Sequence, residues 1–529
     1  MHVVLWPDRD APGQRLAQAR ADMLAPIAGS VRIISPPDDL PEGGDIIDGI
    51  GLGWDAARIE RLTGQAKPAH ASAAVVQAPP SLTEHPLNDY GNAQRIIAVL
   101  GQRLRYCHAF NKWLFWDERR WLVDSSDKAR CHVHEVFLEF ARQALASGNS
   151  GASKFAGSSM NSQRVTAALR EAQPHLAINV ENLDQDPWLL NFRNGTIDLR
   201  TGHRRPHDPR DFITKMVPHD FRPDASCPRW LKFQRRIMAA NEQMIRWKQK
   251  AWGYTLTGST AEKAVFIAHG STGSNGKTTE LAFFRQALGD DYAVLLQIDS
   301  LMAKAESNNT QADLADLRGA RFAMTSETEE GQRLAEGKLK RITQGTGKIK
   351  AARKYENPIE FLESHKLWLD ANHKPVIRGT DAAIWNRLFL IPYEVTIPTD
   401  EIDRDLPAKL LEEAEGILAW AVAGAVRWHS EGLGRPDEVA SAVKDWRSDA
   451  DQIGQFLSEC CVIGDYGRVK ARPLYKQYRD WAEGSGERDV VTETAFGLRM
   501  TQQGYQKKRE ESGVFYLGLG LRSSDRSGE

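Results

Sequence analysis

A multidomain α/β fold with a parallel sheet at its centre is what this sequence predicts, and three observations predict it. Residues 263–268, 321–327 and 366–372 are short apolar runs of strand type that end on a glycine-bearing loop, an acid and an amide. The first is followed by a helical pattern over 280–288 that stops at Gly289, giving the strand–loop–helix order of an α/β unit. The length, 529 residues, exceeds what one hydrophobic core organises.

Composition narrows the classes. Charged and apolar fractions of 26% and 41% are those of an ordinary globular chain. Lys and Arg (69) balance Asp and Glu (70), so the net charge of −1 excludes a uniformly basic coat, and nucleic-acid contact must use local patches. No stretch reaches the roughly 18 apolar residues of a membrane helix, and no charged-then-apolar leader opens the chain. Five cysteines are too few for a disulfide scaffold at this length. A cytoplasmic protein with no membrane partner is expected.

Residues 1–60 open with His2-Val-Val-Leu-Trp-Pro-Asp8-Arg-Asp10-Ala-Pro-Gly13, a strand ending in Asp-x-Asp before a helical pattern over 14–23. Asp8 and Asp10 are candidate ligands for a divalent metal, since carboxylates at a strand end offer a hard cation its preferred oxygens. A second strand, 30–34, leads to Gly44-Asp45-Ile-Ile-Asp48. Residues 61–89, rich in Ala, Pro, Gln and Ser without period, read as a linker. Residues 90–229 read as an α+β domain, with a folded start at 93–100, an aromatic hairpin over 113–121 and helical periodicity over 133–145 and 163–171. The tryptophans of the hairpin alternate with charges at strand spacing, which favours a core face over a base-stacking platform. Cys107-His108 and Cys131-His-Val-His134 carry zinc-type side chains, but without a C-x-x-C and among apolar neighbours they read as packing.

Residues 230–435 hold the densest chemistry. In His269-Gly-Ser-Thr-Gly-Ser-Asn-Gly-Lys277-Thr278-Thr279, the candidate nucleotide-binding set is Gly270, Gly273, Ser274, Asn275, Gly276, Lys277, Thr278 and Thr279. Loop amides and the helix start face an anion, Lys277 reaches the β- and γ-phosphates of ATP, and Thr278 offers its hydroxyl to Mg²⁺. Ser271 stands where a phosphate loop usually has its first glycine, with Gly270 just before it. Glu327, closing the second strand, is suited to hold Mg²⁺ and polarise the attacking water, with Glu329 as the weaker candidate. Asn372 closes the third strand, where an amide can orient that water and sense the γ-phosphate. Arg387 sits alone in an apolar run, and Lys348, Lys350, Arg353 and Lys354 form a basic run between the second and third strands.

Residues 450–523 carry three helical patterns, 455–461, 474–481 and 494–500, then a strand pair, 505–509 and 514–519, around Ser512-Gly513. Helices followed by a terminal hairpin match a winged helix, a relative of the helix-turn-helix DNA readers. Arg499, Lys507, Lys508 and Arg509 would face phosphates there.

Taken together these motifs are similar to those of the phage and plasmid primase–helicases, superfamily 3 within the AAA+ ATPases, with a poxvirus-type primase–helicase C-terminal region. The carrying residues are Gly273-Ser-Asn-Gly-Lys-Thr278, Thr325-Ser-Glu-Thr-Glu-Glu-Gly-Gln-Arg-Leu334, Asn372-His-Lys-Pro-Val-Ile-Arg-Gly-Thr-Asp381 and Trp385-Asn-Arg387. Upstream, residues 190–199 and 252–258 look like the region that precedes the helicase core. The Asn before Gly-Lys and the Asn-His-Lys-Pro turn belong to this family rather than to phosphate loops in general. Thr346 stands where the family usually has Asp, and Ala352 near a usual basic position.

The resemblance implies an AAA+ type P-loop core with a parallel sheet, and an ATP-driven DNA helicase of prophage or plasmid replication. It implies ATP and Mg²⁺ as cofactors, single-stranded DNA and the replication fork as partners, and a homohexameric ring with ATP between subunits. It places Lys348, Lys350, Arg353 and Lys354 on a hairpin in the ring's channel, and makes Arg387 an arginine finger for the neighbouring subunit's site. Separately, the Asp8/Asp10 segment resembles the second half of a Toprim domain, the metal-dependent fold of bacterial-type primases and topoisomerases. Seven residues precede Asp8, which leaves no room for the strand bearing that family's glutamate, so a non-catalytic remnant or a truncated reading frame is expected. Two other activities share these features: a bifunctional primase–helicase, and an ATP-switched origin-binding initiator that does not unwind.

Overall fold

The structure, a computed structural model, describes residues 2–24, 30–41, 43–68, 80–298, 301–303, 314–325, 331–345, 347–351, 358–377, 381–485 and 490–522. Seven strands of the central region position the candidate site: β1 (Val265–His269), β2 (Ala293–Leu296), β3 (Phe322–Thr325), β4 (Lys348–Ala351), β5 (Ile359–Leu362), β6 (Lys366–Ala371) and β7 (Leu388–Pro392). Five of them form a parallel sheet in the order β2-β3-β6-β1-β7, so the fold is mixed α/β with a parallel sheet, as expected. β4 and β5 form a separate antiparallel hairpin.

Burial on both faces explains why these strands read as unbroken apolar runs rather than as alternating ones. Along β1, Phe266 and Ala268 enter one hydrophobic cluster, and Val265 and Ile267 enter another. β6 divides the same way, with Trp368 on the first side and Leu367 and Leu369 on the second, because successive side chains of a strand point to opposite faces. The helices that the first cluster draws in include α1 (Pro228–Ile237), α2 (Glu242–Leu256) and α3 (Lys277–Tyr292). Trp252 of α2 lies parallel to Trp368 at 4.1 Å and to Phe284 of α3 at 3.6 Å, so aromatic faces tie both helices to the strand between them. Gly289, with φ of +68°, breaks α3 where the sequence placed its end.

The chain divides into two compact units, residues 1–100 with 133–172, and residues 101–132 with 173–529. The region expected as one domain, 90–229, is therefore shared between them. In the first unit, His2–Leu5 pairs in parallel with Ser30–Ile33, which pairs antiparallel with Lys67–Pro68. Residues 61–89 are only partly the linker expected. Ala56–Gly64 is helix, Lys67–Pro68 is strand, and Leu82–Glu84 is a 3₁₀ turn with Leu82 fully buried. The reason lies in Arg95: its buried guanidinium donates to the carbonyls of Leu82 and His85 at 2.8 and 2.7 Å and stacks 3.8 Å above the Phe140 ring. Residues 69–79 of the expected linker lie outside the described residues.

In the second unit, Lys112–Trp116 and Trp121–Val123 pair antiparallel, and Trp116 and Trp121 are buried, a core face as their spacing suggested. Cys107 is fully buried in the neighbouring strand. Toward the C-terminus, three helices (Gln452–Cys460, Ala471–Gly484 and Glu493–Gln502) pack on a three-stranded antiparallel sheet. One of its strands, Cys461–Lys470, was not expected: Gly464-Asp-Tyr-Gly467 reads as a turn, and the sheet accommodates it by shifting register between Ile463 and Arg468. No described helix is long and apolar enough to cross a membrane.

Candidate functional site

The loop between β1 and α3 is shaped by close approaches that only glycine permits. A Cβ on Gly270 would lie 2.2 Å from Asn275 Nδ2 and 2.7 Å from the Tyr393 carbonyl oxygen. The position that must be glycine is therefore 270, which explains how Ser271 is tolerated where the usual pattern has its first glycine. Gly276 takes φ of +83° at the start of α3, and a Cβ there would meet Ile237 at 2.5 Å. Asn275, 3% exposed, holds the loop from inside, its amide donating to the Thr272 carbonyl at 2.6 Å. The N-cap residue of α3, Gly276, has no side chain to cap the helix, and the Lys277 amide donates to Asn275 Oδ1 at 3.4 Å. The cleft there has a volume of 320 Å³ and is lined by the loop, Lys277, Thr278, Thr279, Asn372 and His373.

Two strands meet at this cleft. Lys277, 3% exposed, donates from Nζ to Asn372 Oδ1 at 2.6 Å and pairs with Asp370 Oδ1 at 2.9 Å. Thr278 Oγ1 donates to Asp370 Oδ2 at 2.8 Å. Lys277, Thr278 and Asn372, far apart in sequence, are thus brought within reach of one another. Asp370 is the residue that sequence reasoning missed. Its signal was an acid inside an apolar strand, two positions before Asn372 and hence on the same face. Glu327 and Glu329 lie outside the described residues. β3 stops just short of them at Thr325, whose hydroxyl is buried and has no hydrogen-bond partner among the described residues.

Behind the cleft, Glu280 anchors the first turn of α3. Its carboxylate is fully buried and accepts from Lys248 Nζ at 2.6 Å, Trp252 Nε1 at 2.6 Å and Tyr393 OH at 3.0 Å. Burial holds the Lys248 ammonium below its ordinary pKa and the Tyr393 phenol above its own. His269, at the end of β1, is pushed down to about 4 by burial, with Lys374 and Lys277 adding to the effect.

Two family profiles match the chain, "D5 N terminal like" over residues 93–239 and a "Family of unknown function (DUF5906)" over residues 268–387. A protein of Acanthamoeba polyphaga mimivirus named as a "putative helicase" is 26% identical over 326 residues, 57% of this chain and 34% of that protein. Another of that name from Frog virus 3 (isolate Goorha) is 26% identical over 257 residues, 45% of this chain and 26% of that protein. These matches support the resemblance to a phage and viral primase–helicase family. The chain spans 34% and 26% of the length of these two relatives. Solved structures titled as the apo NrS-1 C terminal region align with TM-scores of 0.45 to 0.47 at 10% identity, covering 79% of this chain and 96% of theirs, a likeness too weak to bear on function.

Other candidate residues of the chain lie apart from the cleft. Arg387 directly precedes β7, and its carbonyl accepts from the Val265 amide at 2.7 Å. It thus sits at the N-terminal ends of the central strands, whereas the loop follows their C-terminal ends. β1 is five residues long, so about 13 Å of strand separates the two. The guanidinium caps the Ala383 carbonyl at 3.1 Å, and its Nε has no partner among the described residues. Within one chain, Arg387 and Lys277 do not meet.

On β4, Lys348 and Lys350 are exposed while Ile349 and Ala351 are buried, so both lysines share the outer face of the hairpin. Lys348 lies 3.5 Å from Glu181. Arg353 and Lys354 fall outside the described residues. Lys507, Lys508 and Arg509 are exposed on the strand Lys507–Glu510, with Lys508 3.3 Å from Glu510. Near the N-terminus, Asp10 Oδ1 accepts from the Gly13 amide at 2.5 Å, which makes it a cap for the helix Ala11–Leu24. Among the described residues no cluster of three or more metal-ligating side chains includes Asp8 or Asp10, or the Cys/His pairs.

Proposed function

We propose that this chain is an ATP-hydrolysing DNA helicase of superfamily 3 acting in prophage or plasmid DNA replication. The convergence of Lys277, Thr278 and Asn372 with a glycine-shaped loop in one cleft carries the reading. The residues fit a nucleoside triphosphate and its divalent cation: a helix start, a buried ammonium, a hydroxyl and a carboxylate converge there. The sheet order, with the loop strand β1 between β6 and β7, supports an AAA+ type core. Helicase names among the relatives support the activity.

In this reading the loop amides and Lys277 hold the β- and γ-phosphates, and Thr278 presents its hydroxyl to Mg²⁺. The bound cation neutralises charge that develops on the phosphoryl oxygens. Glu327 polarises the attacking water and Asn372 orients it. Arg387 completes the site of a neighbouring subunit in a homohexameric ring, and its distance from its own loop supports that division. The β4–β5 hairpin, with Lys348, Lys350, Arg353 and Lys354, follows the phosphates of single-stranded DNA. Residues 450–523, three helices with a three-stranded sheet, act as a winged helix that brings Lys507, Lys508 and Arg509 to duplex DNA at the fork. Residues 1–60 are a Toprim-like segment. The protein works in the cytoplasm.

The test is strand displacement on a forked duplex with ATP and Mg²⁺. The expected result is unwinding by the natural chain and none by Glu327→Gln, which should still bind ATP. ATP binding with hydrolysis but no displacement would replace this reading with that of an ATP-switched initiator.

A further inference from the structure

We infer that Asp370 on β6 is the carboxylate that positions the divalent cation of the bound nucleotide, with Glu327 left to the water. The inference rests on the nucleotide reading above and adds a residue to it. Two observations support it. Asp370 is 1% exposed, yet both its oxygens are directed at the phosphate loop, one to Lys277 Nζ at 2.9 Å and the other to Thr278 Oγ1 at 2.8 Å. Thr278 is the hydroxyl that would meet the cation, so the group that fixes that hydroxyl stands beside the cation as well.

Charge balance leads to the same residue. An ammonium that reaches out to phosphate oxygens draws away from Asp370, and a buried carboxylate stripped of its counter-charge is strongly unfavourable. Thr278 and Asp370 would hold a divalent cation, whose charge would offset the carboxylate and leave Lys277 to the phosphates. Asp370 is therefore a positioning group for two partners that trade places. The Asn372 amide, two residues along, accepts from the same ammonium.

The experiment is binding of a fluorescent ATP analogue to the full chain, with and without Mg²⁺. For the natural protein, Mg²⁺ should tighten binding. For Asp370→Asn, binding of the metal-free analogue should persist, while the gain given by Mg²⁺ should shrink by about tenfold or more. An Asp370→Asn protein with the full Mg²⁺ gain would overturn the inference and leave the nucleotide reading intact. A natural chain that binds no analogue at all would overturn both. Should Asp370→Asn fail to fold, the natural chain still decides: iron(II) in place of Mg²⁺, with analogue, ascorbate and peroxide, cuts backbone beside its ligands. Cuts at 278 and 370 support the assignment, and cuts at 278 and 325–329 with none near 370 overturn it.

Discussion

Lys277 shows what one buried charge does to a simple experiment. Read from the sequence it is a solvent-side phosphate partner, and its removal should leave the fold intact. In the structure it is 3% exposed and is the counter-charge of Asp370. Lys277→Ala should therefore abolish ATP turnover and also lower stability by about 3 kcal/mol, the usual loss when a buried pair is broken on one side. The double variant Lys277→Ala with Asp370→Asn should regain much of that stability and none of the turnover, which urea unfolding and an ATPase assay would read separately. An unshifted urea midpoint for the single variant would show that the pair contributes nothing. Protonation gives a second expectation. His365 is buried, and burial, with Lys366 beside it, pushes its pKa down to about 3. Its unfolded value is near 6.5, so the unfolded chain takes up the proton first. Stability is then complete above about pH 6.5 and falls as the pH drops, by roughly 2 kcal/mol at pH 5. His365→Gln should flatten that part of the urea-midpoint profile. Lys277, Thr278 and Asn372 were legible because their motifs are local. Asp370 was not, because an acid in an apolar strand declares its partner only when the strand order is known.

At the scale of elements, the loop and the hairpin make opposite demands. Gly270→Ala puts a methyl against Asn275 and the Tyr393 carbonyl, and should cost roughly 1–3 kcal/mol as well as nucleotide affinity. Gly273→Ala has nothing within 4 Å to meet and should leave stability near that of the natural chain. Equal thermal shifts for the two would contradict the close approach at Gly270. The hairpin should be tolerant of charge change but not silent. Neutralising Lys348 and Lys350, which share its outer face, should uncouple ATP hydrolysis from strand separation. It should also flatten the salt dependence of single-strand binding by about 0.7 in log–log slope per lost phosphate contact. Unchanged unwinding would return the pair to ordinary surface charge. Most elements were readable from period and punctuation, including Gly289 as the break in α3. The strand Cys461–Lys470 was hidden by its own bulge, and the packed turn at Leu82 by the low-complexity stretch before it.

At the scale of the whole molecule, the sequence marked a chemistry-rich centre and a helix–strand C-terminal region. It could not show that residues 90–229 divide between two units, since that depends on contacts that only the folded chain makes. The position of Arg387, at the other end of the sheet from its own phosphate loop, carries the sharpest expectation at this scale. Arg387→Ala and Lys277→Ala subunits, each inert alone, should recover partial ATPase on mixing, because some interfaces then carry an intact lysine and an intact arginine. No recovery in a demonstrably mixed oligomer would exclude a role in trans. The same placement sets how active sites are counted. If each site needs one neighbour, a lone chain owns none, an open row of chains owns one fewer than its members, and a closed ring owns one each. Turnover per chain should then climb with protein concentration and level off on closure, and a single missing member should take its own site with it and silence one more, while leaving every other chain folded and loaded.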